Sequence, residues 1–148
     1  IGTIIKHVQE NFSLCVDAEI TLEANPGASD QAKFEGYRGA GVNRLSIGVQ
    51  TTHDRLLEKL GRVHSGCDAI NAISDAKNIF ENINVDLMFA LPGQQINELK
   101  TDLSKVFEFV PEHLSIYQLT IEPNTWFYRY PPKIPDADLA SEMQSEIE

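Results

Sequence analysis

The residues of this chain equipped for chemistry are the polar ones that interrupt or close its short apolar runs. Glu23 closes Ile20-Thr-Leu-Glu, and Gln50 closes Arg44-Leu-Ser-Ile-Gly-Val. Gln118 and Thr120 stand near the end of Leu114-Ser-Ile-Tyr-Gln-Leu-Thr-Ile. Asp86 sits inside Val85-Asp-Leu-Met-Phe, where an ionised carboxylate is costly unless it meets a donor or a ligand. Arg62 follows Gly61, with His64 two residues on. Carboxylates, amides and a guanidinium on one rim suit a ligand with hydroxyls plus a carboxylate that Arg62 can clamp with two parallel hydrogen bonds.

Taken singly, each residue also has an ordinary structural use. Glu23 can cap a helix or pair with Arg44 across a sheet, and Gln50 and Gln118 can satisfy loop amides. Arg62 can favour the negative end of the helix before it. His53 and His64 suit surface or capping positions better than metal ligation, because no second ligand stands at metal spacing. The aromatic cluster from Trp126 to Tyr130 suits packing against a sheet edge. The set as a whole argues for a site.

The elements that must position these residues are legible from hydrophobic spacing. Ile4, Ile5, Val8 and Phe12 predict a helix over 3–12, and 15–23 reads as a strand approach and strand, with Ile20 and Leu22 alternating against Glu19, Thr21 and Glu23, broken at Ala24-Asn-Pro-Gly. Ser29 is placed to cap a helix through Phe34 and Tyr37 that Gly39 and Gly41 end. The run from Arg44 is too short for a helix and right for a buried strand. Thr51 and Thr52 offer caps to the helix carrying Leu56, Leu57 and Leu60, which Gly61 closes. A further helix runs from about Cys67 to Phe80, with Ala69, Ile70, Ile73, Ala76 and Ile79 or Phe80 inward. A strand over 83–91 stops at Pro92-Gly93. The next helix, 96–110, carries the stripe Leu99, Leu103, Val106 or Phe107, and Val110. The fourth strand is 114–121, and Asp136 can cap a last helix.

Strands alternating with helices at a repeat of about 25 to 35 residues imply a parallel α/β sheet, which binds ligands at the carboxyl ends of its strands. Periodicity does not separate a barrel from an open doubly wound sheet. At 148 residues the chain fits one core, with 1–124 as the sheet-and-helix unit and 125–148 as an aromatic, proline-rich tail leading into a helix. A net charge of −10 excludes a broad basic face for nucleic acid. No run is long enough for a membrane-spanning helix, and no signal peptide is visible. Cys15 and Cys67 lie 52 positions apart, so neither a disulfide framework nor a zinc or iron–sulfur motif is read, and a reduced, cytoplasmic setting fits. The first residue is Ile, consistent with a piece of a longer chain. The glycines at 36, 39 and 41 lie at the end of a helix rather than its start, which excludes Rossmann and P-loop readings, and no nucleophile elbow is present. An adenosyl amino acid carries the hydroxyls and the carboxylate that the rim residues suit.

Six motifs resemble one family. They are Glu23-Ala-Asn-Pro-Gly, Gly41-Val-Asn-Arg-Leu-Ser-Ile-Gly-Val-Gln, Leu60-Gly-Arg-Val-His, Asn84-Val-Asp-Leu-Met, Leu91-Pro-Gly-Gln and Leu119-Thr-Ile-Glu-Pro-Asn-Thr. In order and spacing they resemble the oxygen-independent coproporphyrinogen III oxidases, which are radical S-adenosylmethionine (SAM) proteins on an incomplete (β/α)6 barrel. The run from Gln118 is most similar to the family's haem-chaperone branch. The resemblance implies a partial TIM-like barrel of about four parallel strands, the family's strands three to six, with helices outside.

By the same resemblance, Glu23, Gln50 and Asp86 match residues that meet hydroxyls and polar edges of SAM. Arg62 matches the residue on the methionyl carboxylate, and Thr120 a position near the adenine. Ala90 stands where relatives commonly have Gly. The family's CxxxCxxC loop for a [4Fe–4S] cluster has no counterpart in this sequence, nor have its glycine-rich stretch at the SAM amino group and its C-terminal haem-binding residues. The stretch alone is therefore expected to be catalytically inert, with no catalytic residue or metal ligand of its own. The implied partners are SAM and, through the longer parent, a porphyrin or haem. A parent oxidase would split SAM with an electron from the cluster and abstract hydrogen from a propionate side chain, whereas a chaperone would bind haem and pass it on. Exposed strand edges would favour self-association. Without the resemblance, the residues also fit an ordinary α/β-barrel enzyme acting on a small sugar or keto acid, with Glu23 or Asp86 as base.

Overall fold

The computed structural model describes residues 1–27 and 30–148. Four strands form one parallel sheet: β1 (Thr21–Ala24), β2 (Arg44–Gln50), β3 (Ile83–Phe89) and β4 (His113–Gln118). Their spatial order is β1-β2-β3-β4, the same as their order in the chain. Crossovers between parallel neighbours are right-handed, so an order without reversal puts every connecting helix on one face. A doubly wound sheet needs a reversal; this sheet has none and is a segment of a barrel wall.

The strand sequences explain which face is covered. In β3, Ile83, Val85, Leu87 and Phe89 alternate with Asn84, Asp86 and Met88, and the apolar set is buried. Leu45, Ile47 and Val49 of β2 join them, and all pack against the helices in the main core. The other face carries Glu23, Ser46, Gly48, Asn84, Asp86 and Ser115, matched across the strands by register.

On the covered face lie α2 (Asp30–Gly39), α4 (Gly66–Ile79) and α5 (Ile96–Phe107), contributing Phe34, Ala69, Ala72, Ile73, Ala76, Leu99, Leu103 and Val106 to the core. The short α3 (Asp54–Lys59) precedes α4 and buries Leu56 and Leu57. At the N-terminal end of the sheet Glu112 ties three elements together: it pairs with Lys77 of α4 and accepts from the Ile83 N–H at 3.0 Å. The helix α1 (Gly2–Asn11) buries no residue fully, and α7 (Ala137–Ile147), capped by Asp136, sinks Met143 into the main core.

Several expectations are corrected. The approach from Cys15 is a turn in which Ala18 N–H returns to the Cys15 carbonyl, and strand pairing starts at Thr21, past the Glu19 and Ile20 where alternation begins. Helix α5 stops at Phe107, because Val110 turns to φ 48° and lies 72% exposed; Val106, not Phe107, is the inward residue. β4 ends at Gln118 rather than running on to Ile121, so Thr120 lies beyond it. The aromatic cluster does not pack on the sheet edge. It forms a short turn, α6 (Trp126–Arg129), in which Trp126 and Tyr128 are exposed and only Phe127 contacts the small cluster of Leu56, Leu91 and Leu119. The Ser29 cap lies outside the described residues.

Candidate functional site

The uncovered face holds a directed polar network. Ser115 Oγ donates to Asn84 Oδ1 at 3.0 Å, and Asn84 Nδ2 donates to Ser46 Oγ at 2.9 Å and to Asp86 Oδ1 at 2.8 Å. Ser46 Oγ donates in turn to Asp86 Oδ2 at 3.1 Å. Every donor in the chain leads toward one carboxylate, which answers the need for donors that Asp86 presents within an apolar run. Asp86 is only half buried, and its carboxylate keeps acceptor capacity beyond these two hydrogen bonds.

Beside it, at the carboxyl end of the strands, Gly48 pairs in register with Asp86. A Cβ on Gly48 would stand 3.0 Å from Gln50 Nε2 and 3.2 Å from Asn25 Oδ1. Glycine is thus what lets two amide side chains converge over the strand. Asn25 Oδ1 accepts from an Arg62 guanidinium nitrogen at 2.9 Å, so the Asn-Pro-Gly break after β1 anchors the arginine that follows α3. Gln50 is 8% exposed, yet its side-chain amide makes no hydrogen bond among the described residues. Glu23 sits on the same face, in register with Ser46, exposed and likewise without an ion-pair partner among the described residues; Arg44 turns instead to Glu19 at 3.9 Å.

The backbone that aims Gln50 is unusual. Its φ is 68°, the register of β2 against β3 shifts between Gly48 and Gln50, and Thr51 N–H reaches the Val49 carbonyl at 2.9 Å. This is a γ-turn of the rare positive-φ form, held only where the surroundings over-determine it. Thr51 and Thr52 do not act as helix caps through their side chains. Both hydroxyls donate to Asp102 of α5, each at 2.7 Å, and His53 is the N-cap residue of α3. His64 is not a surface residue: it is buried, and its Nε2 lies 3.3 Å from the Val49 carbonyl, which makes that nitrogen the protonated one.

Close by, burial raises the Glu98 pKa, but hydrogen bonds from Arg55 and from the Gln95 backbone outweigh it, leaving the carboxyl below its ordinary value. Asp68 is also lowered, chiefly by the backbone N–H and hydroxyl of Ser65 in the capping box of α4.

Of the five residues that the resemblance matches to SAM contacts, four share one rim: Gln50, Arg62 and Asp86 meet at Gly48 and Asn25, and Glu23 lies on the same face beside them. Thr120 lies at the same end of the sheet, exposed, past Leu119, and touches none of the other four through a hydrogen bond. Sequence reasoning passed over Asn25, Gly48, Ser46 and Asn84. The period-two polar residues in runs of Val, Ile and Leu were the available signal for the last two. Among the described residues no three His, Cys, Asp or Glu side chains form a group that could hold a metal ion, and both cysteines are exposed single thiols. This donor set does not fit an iron–sulfur cluster. No helix among the described residues is long and apolar enough to cross a membrane.

The chain is 46% identical over 137 residues to the protein named Heme chaperone HemW from Escherichia coli, matching 92% of this chain and 36% of that relative. It is 43% identical over 139 residues to Heme chaperone HemW from Haemophilus influenzae, again 36% of the relative's length against 93% of this chain. The solved structure of coproporphyrinogen III oxidase (HemN) from Escherichia coli, a radical SAM enzyme, superposes with a TM-score of 0.86 at 26% identity, over 98% of this chain and 34% of that one. The chain thus spans little more than a third of the relatives it matches. A family model described as Radical SAM superfamily matches residues 3–106. With the sequential parallel sheet and the polar rim at its carboxyl end, this chain belongs to the radical SAM superfamily.

Proposed function

We propose that this chain forms the SAM-binding wall of a radical SAM protein of haem or porphyrin metabolism, in the manner of a haem chaperone. The observation that carries the reading is the cradle at Gly48: a buried, unengaged Gln50 amide beside the Asn25 that anchors the Arg62 guanidinium, over the strand position paired with Asp86. In this reading Arg62 takes the methionyl carboxylate, using the N–H groups that Asn25 leaves over, because a guanidinium fork matches a carboxylate. Asp86 and Glu23 accept hydrogen bonds from hydroxyl and amino groups of the ligand, Gln50 supplies one donor and one acceptor, and Thr120 lies near the adenine. Two carboxylates and one guanidinium at one rim also suit a ligand that carries a sulfonium and an ammonium beside its carboxylate. Bound SAM supplies hydrogen-abstracting radical chemistry once an electron reaches it. The residues here bind and orient, and the cluster ligands belong to another segment of the parent.

The relatives at 43% and 46% identity are named as haem chaperones, which favours haem transfer over propionate decarboxylation for the parent, acting in the cytoplasm. Titrating SAM into the parent protein and its Arg62→Ala variant tests the site, with a loss of about tenfold or more expected for the variant. Unchanged affinity would remove Arg62 from the pocket, and no binding at all would remove SAM. Stable haem binding by the parent without porphyrinogen decarboxylation is the expected outcome for the chaperone reading, and decarboxylation through successive turnovers would overturn it.

A further inference from the structure

From the outer helix layer, one carboxylate reaches through to the rim. Asp102, in the middle of α5, is 1% exposed. Its Oδ1 accepts from both the backbone N–H and the hydroxyl of Thr52, and its Oδ2 from the hydroxyl of Thr51, each at 2.7 Å. Lys105, one turn further along α5, donates to the same Thr52 hydroxyl at 3.1 Å. A buried aspartate in a helix interior is costly in both propensity and desolvation, so its place here needs a return. What it grips is the pair of residues immediately after Gln50, whose positive φ a side-chain-bearing residue rarely adopts. The turn has a second hold in His64 at the Val49 carbonyl, on the other side of Gln50.

We infer that Asp102 is a positioning residue of the ligand site: by fixing Thr51 and Thr52 it holds the γ-turn that points the Gln50 amide over Gly48. The inference rests on the SAM-binding reading above. Asp102 has no hydrogen bond to Gln50, Asn25, Arg62 or Asp86, so its effect on the ligand passes through the turn. A residue that only stabilises the fold would change melting temperature and leave the affinity of the folded protein untouched.

The test uses the parent protein with SAM as the titrant, by equilibrium dialysis, alongside thermal melting. Asp102→Asn keeps the shape but presents an N–H₂ toward a hydroxyl donor. Thr51→Val removes one of the three gripping donors at nearly constant volume and decides the matter if the first variant does not fold. Loosening the turn should weaken SAM about tenfold in Asp102→Asn and about fivefold in Thr51→Val, the loss of roughly one hydrogen bond to the ligand. Thr51→Ser, which keeps the hydroxyl, should stay within about twofold. In a Gln50→Ala background, Asp102→Asn should cost less than about twofold more, because the side chain it aims is gone. Wild-type affinity in folded Asp102→Asn and Thr51→Val would overturn the inference, as would losses that simply multiply with that of Gln50→Ala. In those cases SAM still binds the wild type and the SAM reading stands. If the wild type itself does not bind SAM, that reading falls and takes the inference with it.

Discussion

Gly48→Ala separates the fold of this protein from its site more sharply than any other single change. Within a strand, alanine is favoured over glycine by about 0.5–1 kcal/mol, because glycine loses more backbone freedom on folding. The φ of Gly48 is not positive, so the backbone accepts alanine, and the nearest main-chain atom, the Ala24 carbonyl oxygen, is 3.7 Å from the new methyl. The cost falls on side chains. The methyl stands 3.0 Å from Gln50 Nε2 and 3.2 Å from Asn25 Oδ1, so both amides must retreat by a few tenths of an ångström. Gln50 breaks no hydrogen bond when it yields; Asn25 is tied to Arg62 at 2.9 Å, and moving it stretches a charge-assisted bond worth about 1.5 kcal/mol or more. Stability should therefore change by no more than about 1 kcal/mol. SAM binding should lose the Gln50 contact and part of the Arg62 alignment, about 2–3 kcal/mol together, which is roughly 30- to 150-fold in affinity. Titration calorimetry of the parent protein with SAM, beside thermal melting, measures both. Affinity within a factor of two of wild type in a normally melting variant would refute the placement of Gln50 and Asn25 in the pocket.

Other glycines give contrasting outcomes. At Gly66, the first residue of α4, a Cβ would stand 2.0 Å from the Thr52 carbonyl oxygen, a backbone atom that Asp102 and its neighbours hold in place. Gly66→Ala should cost about 3 kcal/mol or more by chemical denaturation, and a cost below about 1 kcal/mol would show that the helix can lift away. Gly36 lies exposed in α2 with nothing within 4 Å of a new Cβ, so Gly36→Ala should add about 0.5–1 kcal/mol without touching SAM affinity. Acid should weaken the fold through Asp68 and Glu112. Hydrogen bonds from Ser65 hold the first below its ordinary value, and Lys77 with the Ile83 N–H holds the second. A lowered folded-state pKa means that the stability each adds is full above its unfolded value, near 4, and is lost as pH falls through the folded one. Asp68→Asn with Glu112→Gln should then be less stable than wild type at pH 7, with the gap closing toward pH 3. A urea-midpoint difference that stays constant between those pH values would contradict this.

The fold was legible because its signals are local and repeated. Each strand is a short run of β-branched and aliphatic residues ended by a polar residue or a Pro-Gly pair, and each helix shows its apolar stripe. The parallel direction of the strands followed from their alternation with helices, while the choice between barrel and doubly wound sheet needed the strand order that only the structure supplies. The errors lie where a local pattern outran its context. Val110 has the right spacing for the α5 stripe, yet the chain turns to positive φ before reaching the sheet. Trp126, Tyr128 and Tyr130 are apolar enough for a core, but the short α6 turn exposes them.

The site divides along the same line. That Glu23, Gln50, Arg62 and Asp86 share one rim could be read from the sequence, because Glu23 and Gln50 close strands, Asp86 breaks an apolar run and Arg62 follows a helix-ending glycine. Asn25 and Asp102 could not, since their work is done across the fold: Asn25 lies 37 positions from the arginine it anchors, and Asp102 lies 51 from the threonine it grips. Nor does the sequence betray the positive φ of Gln50, for glutamine is a residue that normally avoids it. The turn exists because Asp102, His64 and the close seat of Gly66 on Thr52 oppose its relaxation from three sides. In the proposed reading, a strained backbone held by buried polar contacts, with an unengaged amide at its tip, serves a ligand rather than packing. Packing alone would be served by an extended strand end and an apolar residue at 50.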